Sequence, residues 1–480
     1  MSSFAERFRV MEPKDFIKDS DRKKIHSAAL DVMETTGVKV LSAVARESLK
    51  RAGAVVDEKT NIVSFPTDLV ESLLKKIPSK IVLAGRTEEY DLPLDRRHQY
   101  HTTDGCGISV WDNKAQTRRE STLEDIRKTA VLSDWLPYLS IYEPMVVAHD
   151  MPSKSHVLMG LKTAMENTSK HIETESTTTA DEARAQVEMA AAVVGSKDEL
   201  KERHYLSAMV CTVSPLILDG GATDAAMVWA ENHVPVHITG MASMGLTGPA
   251  TVAGSLVVNH AETMALACAM QAHEPCSPIL YGSVQSSMDP RTGAYNSGAP
   301  ETILISIGDV EMAKYLGLPC SAGGIGGSAR IPGLRVSIEN SILTSPLVTA
   351  GSEVMNGIGL ADGSTLLSYE QMMLDHEIVA LALNSQRDIE INDETLALDV
   401  IKKVGIGKNY LSEMHTVKRV RDFYLPMLWD MSPFEAWVEG GKKDLMEVAG
   451  EKASKVISEH KPEKLDAEVS RTLTKVVDDF

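Results

Sequence analysis

The sequence predicts a TIM (β/α)8 barrel carrying an α-rich N-terminal cap and a helical C-terminal extension. Eight short apolar runs fall near residues 99–104, 139–147, 170–175, 205–212, 234–239, 278–282, 318–322 and 353–359. Helix-length segments separate them, among them 122–133, 180–194, 223–232, 250–272 and 301–316, so a strand-helix unit recurs every roughly 30–40 residues. A doubly wound open sheet alternates in the same way, but usually has fewer strands and a glycine-rich first turn. No GxGxxG follows an early strand here. The length of 480 residues exceeds an average domain and fits one barrel with extensions.

Residues 1–97 form the expected cap. Ile25, Leu30, Val32 and Met33 recur at helical spacing behind Asp21, a candidate N-cap, and Gly37 supplies the stop. A second helix spans 43–50 and ends at Gly53; a short extended piece and a further helix, 61–77, close at Pro78. Residues 98–390 hold the barrel. From about Ile391 to Phe480 the strand rhythm disappears and the chain reads as amphipathic helix. Its aromatic residues Phe423, Tyr424, Trp429, Phe434 and Trp437 are expected to pack internally, and 451–480 reads as a solvated helix with a loose tail.

Composition narrows the function. A net charge of −18 argues against a nucleic-acid binder, whose phosphate-neutralising surface needs excess base. Five scattered cysteines do not make a disulfide framework. The N-terminus has charges throughout and no apolar h-region, and no apolar run approaches the ~20 residues of a membrane span. A cytoplasmic enzyme is the expectation, with no membrane partner.

In such barrels the active site is built from loops at the C-terminal ends of the strands. That rule shortlists Asp104, Gly105 and Trp111; Tyr142, Glu143 and Asp150; Glu173 and Glu175; His237; Tyr281 and Gln285; Arg330; and Asn356 and Asp362. Trp111, Tyr142 and Tyr281 could enclose a quaternary ammonium by cation–π attraction, or simply fill the mouth as packing. The segment AGGIGGSAR, with Gly323, Gly324, Gly326 and Gly327, could nest an anion, admit a bulky cofactor, or form a tight turn. No P-loop follows any strand. Glu143, Glu173 and Glu175 could act as acid/base groups. No metal site is expected: His98 and His101 would point to opposite faces of a strand, Pro235 spoils the helical spacing of His233 and His237, and Cys268, His273 and Cys276 lack a zinc spacing.

Three stretches together carry a family resemblance. They are Ser214-Pro215-Leu216 within TVSPLILDGG, the run TGPATVAGSLVVNHAE at 247–262, and MDPRTGAYNSGAPE at 288–301. Weaker matches are IHSAALDVMETTGVKV near the start and GKNYLSEMHTVKRVRDFYLPMLWD near the end. In order and spacing the chain resembles the trimethylamine methyltransferase (MttB) superfamily of corrinoid-dependent methyltransferases over almost its whole length.

The resemblance implies a barrel that demethylates a methylated amine and passes the methyl group to Co(I) of a separate corrinoid protein. No cofactor is then bound tightly. The chain lacks DxHxxG, the pattern by which resembling proteins ligate the cobalt; Asp375-His376 sits in a helical run without the spacing. Founding members carry pyrrolysine after the seventh strand, whereas 320–330 here is spelled in standard residues. Members of that kind look like demethylases of quaternary amines, glycine betaine first, then proline betaine or carnitine. The expected layout puts Trp111, Tyr142 and Tyr281 around the ammonium and Glu143 as its charge balance. Arg330, or else Arg291, pairs a substrate carboxylate, His237 and Gln285 fix orientation, and the Gly323–Gly327 loop faces the corrinoid. A phosphate-binding barrel lyase or isomerase is the alternative, and a non-catalytic scaffold a third. A symmetric homo-oligomer is expected on base rate alone.

Overall fold

The computed structural model describes residues 4–175 and 177–480, so the first three residues of the 1–97 segment lie outside the described residues. Eight strands are labelled β1 (Tyr100–His101), β2 (Ile141–Tyr142), β3 (His171–Thr174), β4 (Leu206–Cys211), β5 (Val236–Gly240), β6 (Ile279–Ser283), β7 (Cys320–Gly324) and β8 (Val354–Asn356). They form one parallel sheet in the order β1-β8-β7-β6-β5-β4-β3-β2. A parallel bridge between Thr102 and Ile141 joins the two ends and closes the barrel. Each strand is followed by a helix: α1 (Leu123–Trp135), α2 (His156–Asn167), α3 (Ala180–Val194), α4 (Gly220–Glu231), α5 (Val252–His273), α6 (Pro300–Leu316), α7 (Leu334–Ala350) and α8 (Tyr369–Ser385).

Local chemistry sets these elements. Thr179 and Glu182 cap α3 reciprocally, and Gly195 ends it at φ 112. Helix α7 starts after Gly333 without a side-chain cap and contains Pro346, so it carries none of the usual boundary signals. At the base of the barrel the buried Lys170 donates to the carbonyls of Ser133, Leu136 and Leu139 at 2.6, 2.6 and 2.5 Å, tying the end of α1 to the start of β3.

The cap consists of helices Asp19–Asp31, Ala43–Ala52 and Thr67–Leu74 around a small sheet of Val38–Val40, Ile62–Ser64 and Val55–Asp57. Asp21 is not the N-cap: the helix starts after Lys18, and Asp21 lies in its first turn, where its charge favours the positive helix end. Val38–Val40 also pairs in parallel with Ile217–Leu218 in the loop after β4, which knits the cap to the mouth of the barrel.

The C-terminal extension departs from expectation twice. Its aromatic residues do not form one internal cluster. Tyr424 reaches back to Tyr138 and Glu377, Phe434 and Trp437 tilt together at 5.7 Å, and Phe423 stays exposed. The end is also docked rather than loose. Helix Leu445–Glu459 buries Ala449, Ala453 and Val456, and helix Ala467–Asp479 buries Leu473 and Val477, an apolar stripe at helical spacing. Among the described residues no helix is long and apolar enough to cross a membrane.

Candidate functional site

The C-terminal mouth of the barrel holds an acidic cluster. Asp104 and Cys106 come from the loop after β1, Glu143 from the end of β2, and Glu173 and Glu175 from β3 and its end. Strand alternation places Glu173 and Glu175 on the same inward side and leaves Tyr142 on the face opposite to Glu143. Gly105 N donates to Glu175 Oε2 at 3.0 Å, and Cys106 Sγ donates to Glu175 Oε1 at 3.1 Å. A Cβ added at Gly105 would lie 3.0 Å from both Glu143 Oε1 and Glu175 Oε2, so the glycine lets two carboxylates approach one point.

These carboxylates have little to neutralise them. Both oxygens of Glu143 and both of Glu173 are buried without a hydrogen-bond partner among the described residues. Burial first, then mutual repulsion within the cluster, raises the carboxyl pKa values of Glu143 and Glu173 and pushes Glu175 up to about 8, while burial alone raises that of Asp104 against the hydrogen bonds that lower it. His237 Nδ1 lies 3.1 Å from Glu173 Oε1 but is not aligned for a hydrogen bond, and burial lowers its pKa to about 3. His237 is therefore neutral at physiological pH and gives the cluster no positive charge. Ligand atoms of Asp104, Cys106 and Glu175 lie within 4.8 Å of one another, close enough to share a cation. Close packing around the thiol, then the charges of Asp104 and Glu175, raise the Cys106 pKa, which keeps the sulfur protonated and a poor metal ligand.

The expected aromatic box is not formed. Tyr142 is buried on the outer face of β2, with its hydroxyl between Thr129 Oγ1 at 2.8 Å and the Ile126 carbonyl at 2.9 Å, both on α1. Tyr281 pairs in register with Ile238, one residue from the inward His237, and its hydroxyl meets His260 Nδ1 at 2.9 Å on α5. His260 continues to His26 of the cap at 2.9 Å, and His26 to Glu71 at 2.9 Å, so Tyr281 is the inner end of a cap-to-barrel chain. Trp111 sits in a separate apolar cluster with Ala329, Val336, Ala361 and Leu366. Tyr142→Phe is expected to lose about 1–2 kcal/mol of stability, measured by urea unfolding, as a packing and not a ligand-binding side chain would. The aromatic residue nearest the acidic cluster in its electrostatics is Tyr295, 47% exposed, whose hydroxyl pKa is raised by burial and then by the charge of Asp104. It lies beyond the strand ends, inside the stretch 288–301, and that stretch was the sequence signal for it.

The two arginines also lie elsewhere. Arg291 is exposed and pairs with Asp289. Arg330 is exposed and shares Asp362 with Arg118, whose Nη1 is 2.7 Å from the same carboxylate. Exposed pairs of this kind contribute at most about 1 kcal/mol. Arg330→Ala should leave substrate KM unchanged in steady-state assays, against the carboxylate pairing that the resemblance implies.

Gln285 donates to both oxygens of Asp309 at 3.1 and 2.9 Å, beside Asn259 at 2.8 Å, so its amide positions α6 rather than a ligand. In the glycine-rich segment the close approach is filled by the chain itself. Added Cβ atoms would meet Leu347 at Gly323, Ser364 at Gly326 and Val336 at Gly327, at 2.3, 2.2 and 2.7 Å. Gly324 alone is half-buried and faces Asn356. The segment is a packing joint between β7, α7 and the loop after β8, with no open nest for an anion.

The first two of the quoted stretches meet in space. Glu262, on α5, accepts from Thr212 Oγ1 at 2.5 Å, Ser214 Oγ at 2.9 Å and the Leu216 amide at 2.8 Å. The loop around the cis Ser214–Pro215 bond is thus held by the last residue of the second stretch.

Residues 3–479 match the family model described as trimethylamine methyltransferase (MTTB). The chain is 31% identical over 461 residues to trimethylamine methyltransferase MttB of Desulfitobacterium hafniense (strain DSM 10664 / DCB-2), covering 96% of this chain and 93% of that relative. It is 28% identical over 465 residues to the glycine betaine methyltransferase of Desulfitobacterium hafniense (strain Y51), covering 96% of each. The crystal structure of the Methanosarcina barkeri monomethylamine methyltransferase (MtmB) superposes with a TM-score of 0.49 at 13% identity, over 94% of this chain and 97% of that one.

Proposed function

The chain belongs to the trimethylamine methyltransferase family, and on that footing we propose that it moves a methyl group from a quaternary amine to Co(I) of a separate corrinoid protein. The observation that carries this reading is the acidic mouth: buried carboxylates around Gly105 with no cation of the protein's own to pair with them. A buried, unpaired carboxylate is costly unless a ligand supplies the opposite charge. The similarity to a glycine betaine methyltransferase supports a quaternary donor.

A quaternary nitrogen needs no further activation by a proton. As Co(I) donates its electron pair to the methyl carbon, the C–N bond breaks and its pair leaves with a neutral tertiary amine, giving methyl-Co(III). The protein's part is to hold one N–CH3 bond in line and keep water away. Glu143 and Glu175 anchor the positive nitrogen, Tyr295 offers a ring at the rim, and the neutral His237 closes the floor. Anaerobic mixing of the protein with reduced cob(I)alamin, or with a Co(I) corrinoid protein, and a panel of quaternary amines should give the visible spectrum of methyl-Co(III). No spectral change with any amine in either acceptor would contradict the proposal.

The site sets the sign of a pH dependence. Glu175 is held near pKa 8 by burial and Asp104, with Cys106, Glu143, Glu173 and Cys211 also facing it. A cation binds the carboxylate and not the acid, so below that pKa binding must expel a proton. Amine affinity is expected to rise by up to about tenfold per pH unit between pH 6 and pH 8. Titration calorimetry between pH 6 and 9 checks this, and a flat profile would contradict it.

A further inference from the structure

We infer that the methyl donor is a quaternary ammonium cation without a carboxylate, of the tetramethylammonium or choline kind, and not a betaine. The inference rests on the methyl-transfer reading above and narrows its substrate class. Its basis is the charge inventory of the barrel. Among the described residues no lysine or arginine pairs with the mouth carboxyls of Asp104, Glu143, Glu173 and Glu175. Glu143 and Glu173 are 1% and 0% exposed, and their four carboxylate oxygens find no donor among the described residues.

A betaine needs a base for its carboxylate, and among the described residues no buried base is both charged and uncommitted. Among the described residues the buried arginine and lysine side chains are Arg22 and Lys170. Arg22 is committed to Asp15, Asp19 and Glu311, away from the mouth. Lys170 is turned under the barrel and saturated by its three carbonyls. The buried His171 and His237, on the inward sides of β3 and β5, are neutral because burial lowers their pKa values. Arg118, Arg291 and Arg330 already pair with aspartates at the surface. The carboxylate of glycine betaine lies one methylene from its nitrogen. A cation seated at Glu143 and Glu175 drives off their protons, and a carboxylate one methylene from that cation would then lie among like charges, at a cost on the order of a hundredfold in affinity. A carboxylate-free cation meets only opposite charge.

Binding needs no corrinoid, so the test uses the full chain alone. Tetramethylammonium chloride, choline chloride and glycine betaine are titrated at pH 8 and low salt by calorimetry, with Zn2+ as a separate arm. The expected result is tetramethylammonium or choline binding about a hundredfold tighter than glycine betaine. Both Glu143→Gln and Glu173→Gln should lose that affinity while keeping the parent's unfolding midpoint. Glycine betaine binding as tightly as the plain cations would overturn the inference, as would no binding of either cation, or Zn2+ occupying the cluster and excluding them. The cobalt assay separates this from the broader reading: methylation from glycine betaine overturns the inference and leaves methyl transfer standing, whereas no methylation from any amine overturns the function itself.

Discussion

Glu143→Gln is expected to reduce quaternary amine affinity by on the order of a hundredfold and to lower methyl transfer at subsaturating amine by the same factor. Glu143 is 1% exposed, has no donor for either oxygen, and shares the point above Gly105 with Glu175. Its charge is of use only to a ligand. Removing that charge should therefore leave stability within about 1 kcal/mol of the parent, and should raise it at alkaline pH, where the empty protein must hold the ionised carboxylate. The sign follows from the raised pKa: a carboxyl group whose folded value exceeds its unfolded one costs the native state more as pH climbs from the unfolded value to the folded one. Calorimetric titration with paired thermal unfolding reads both effects. Unchanged amine affinity, or a large loss of stability at every pH, would mean that Glu143 is structural.

Glu262→Ala should have the largest effect on folding, a loss of about 3–5 kcal/mol in urea unfolding. The carboxylate is fully buried and accepts three hydrogen bonds from the loop after β4, from Thr212, Ser214 and Leu216. Truncation leaves those donors without an acceptor. The same loop carries Ile217–Leu218, the strand that holds the cap sheet through Lys39 and Val40, so the cap should loosen with it. Glu262→Gln keeps part of the acceptor set and should lose less. Equal losses for the two substitutions would show that volume, not hydrogen bonding, sets the cost.

The barrel was legible because its strands are short and covered on both faces, which leaves several of them as brief apolar runs, such as LSAMV in β4 and ILY in β6. Helix α3 could be placed to the residue because Thr179, Glu182 and Gly195 all mark its ends. Helix α7 gives no such marks, having Gly333 before it and Pro346 within it. The acidic residues at the ends of β1, β2 and β3 were found by the strand-end rule, which is a rule of position along the strand. It carries no side-chain direction. Tyr142 and Glu143 are adjacent on one strand, so they must face opposite ways, and the same alternation sends Tyr281 outward when His237 faces in. Applied to the shortlist, that alternation removes both tyrosines from the lumen. The arginines failed for a different reason: Asp289 and Asp362 compete for them, and Asp362 is distant in sequence from Arg118 and Arg330. The glycine-rich segment is read correctly as a place of close approach, but what approaches is the protein's own Leu347, Val336 and Ser364.

The most direct test of the account is diffraction at the arsenic edge from crystals soaked in tetramethylarsonium, an isosteric quaternary cation whose central atom can be located by anomalous scattering. The account predicts an arsenic peak at the barrel mouth, beside Glu143 and Glu175 and facing the Tyr295 ring. A peak confined to the rim near Asp362, or no peak in the acidic mouth at concentrations that saturate binding in solution, would contradict it.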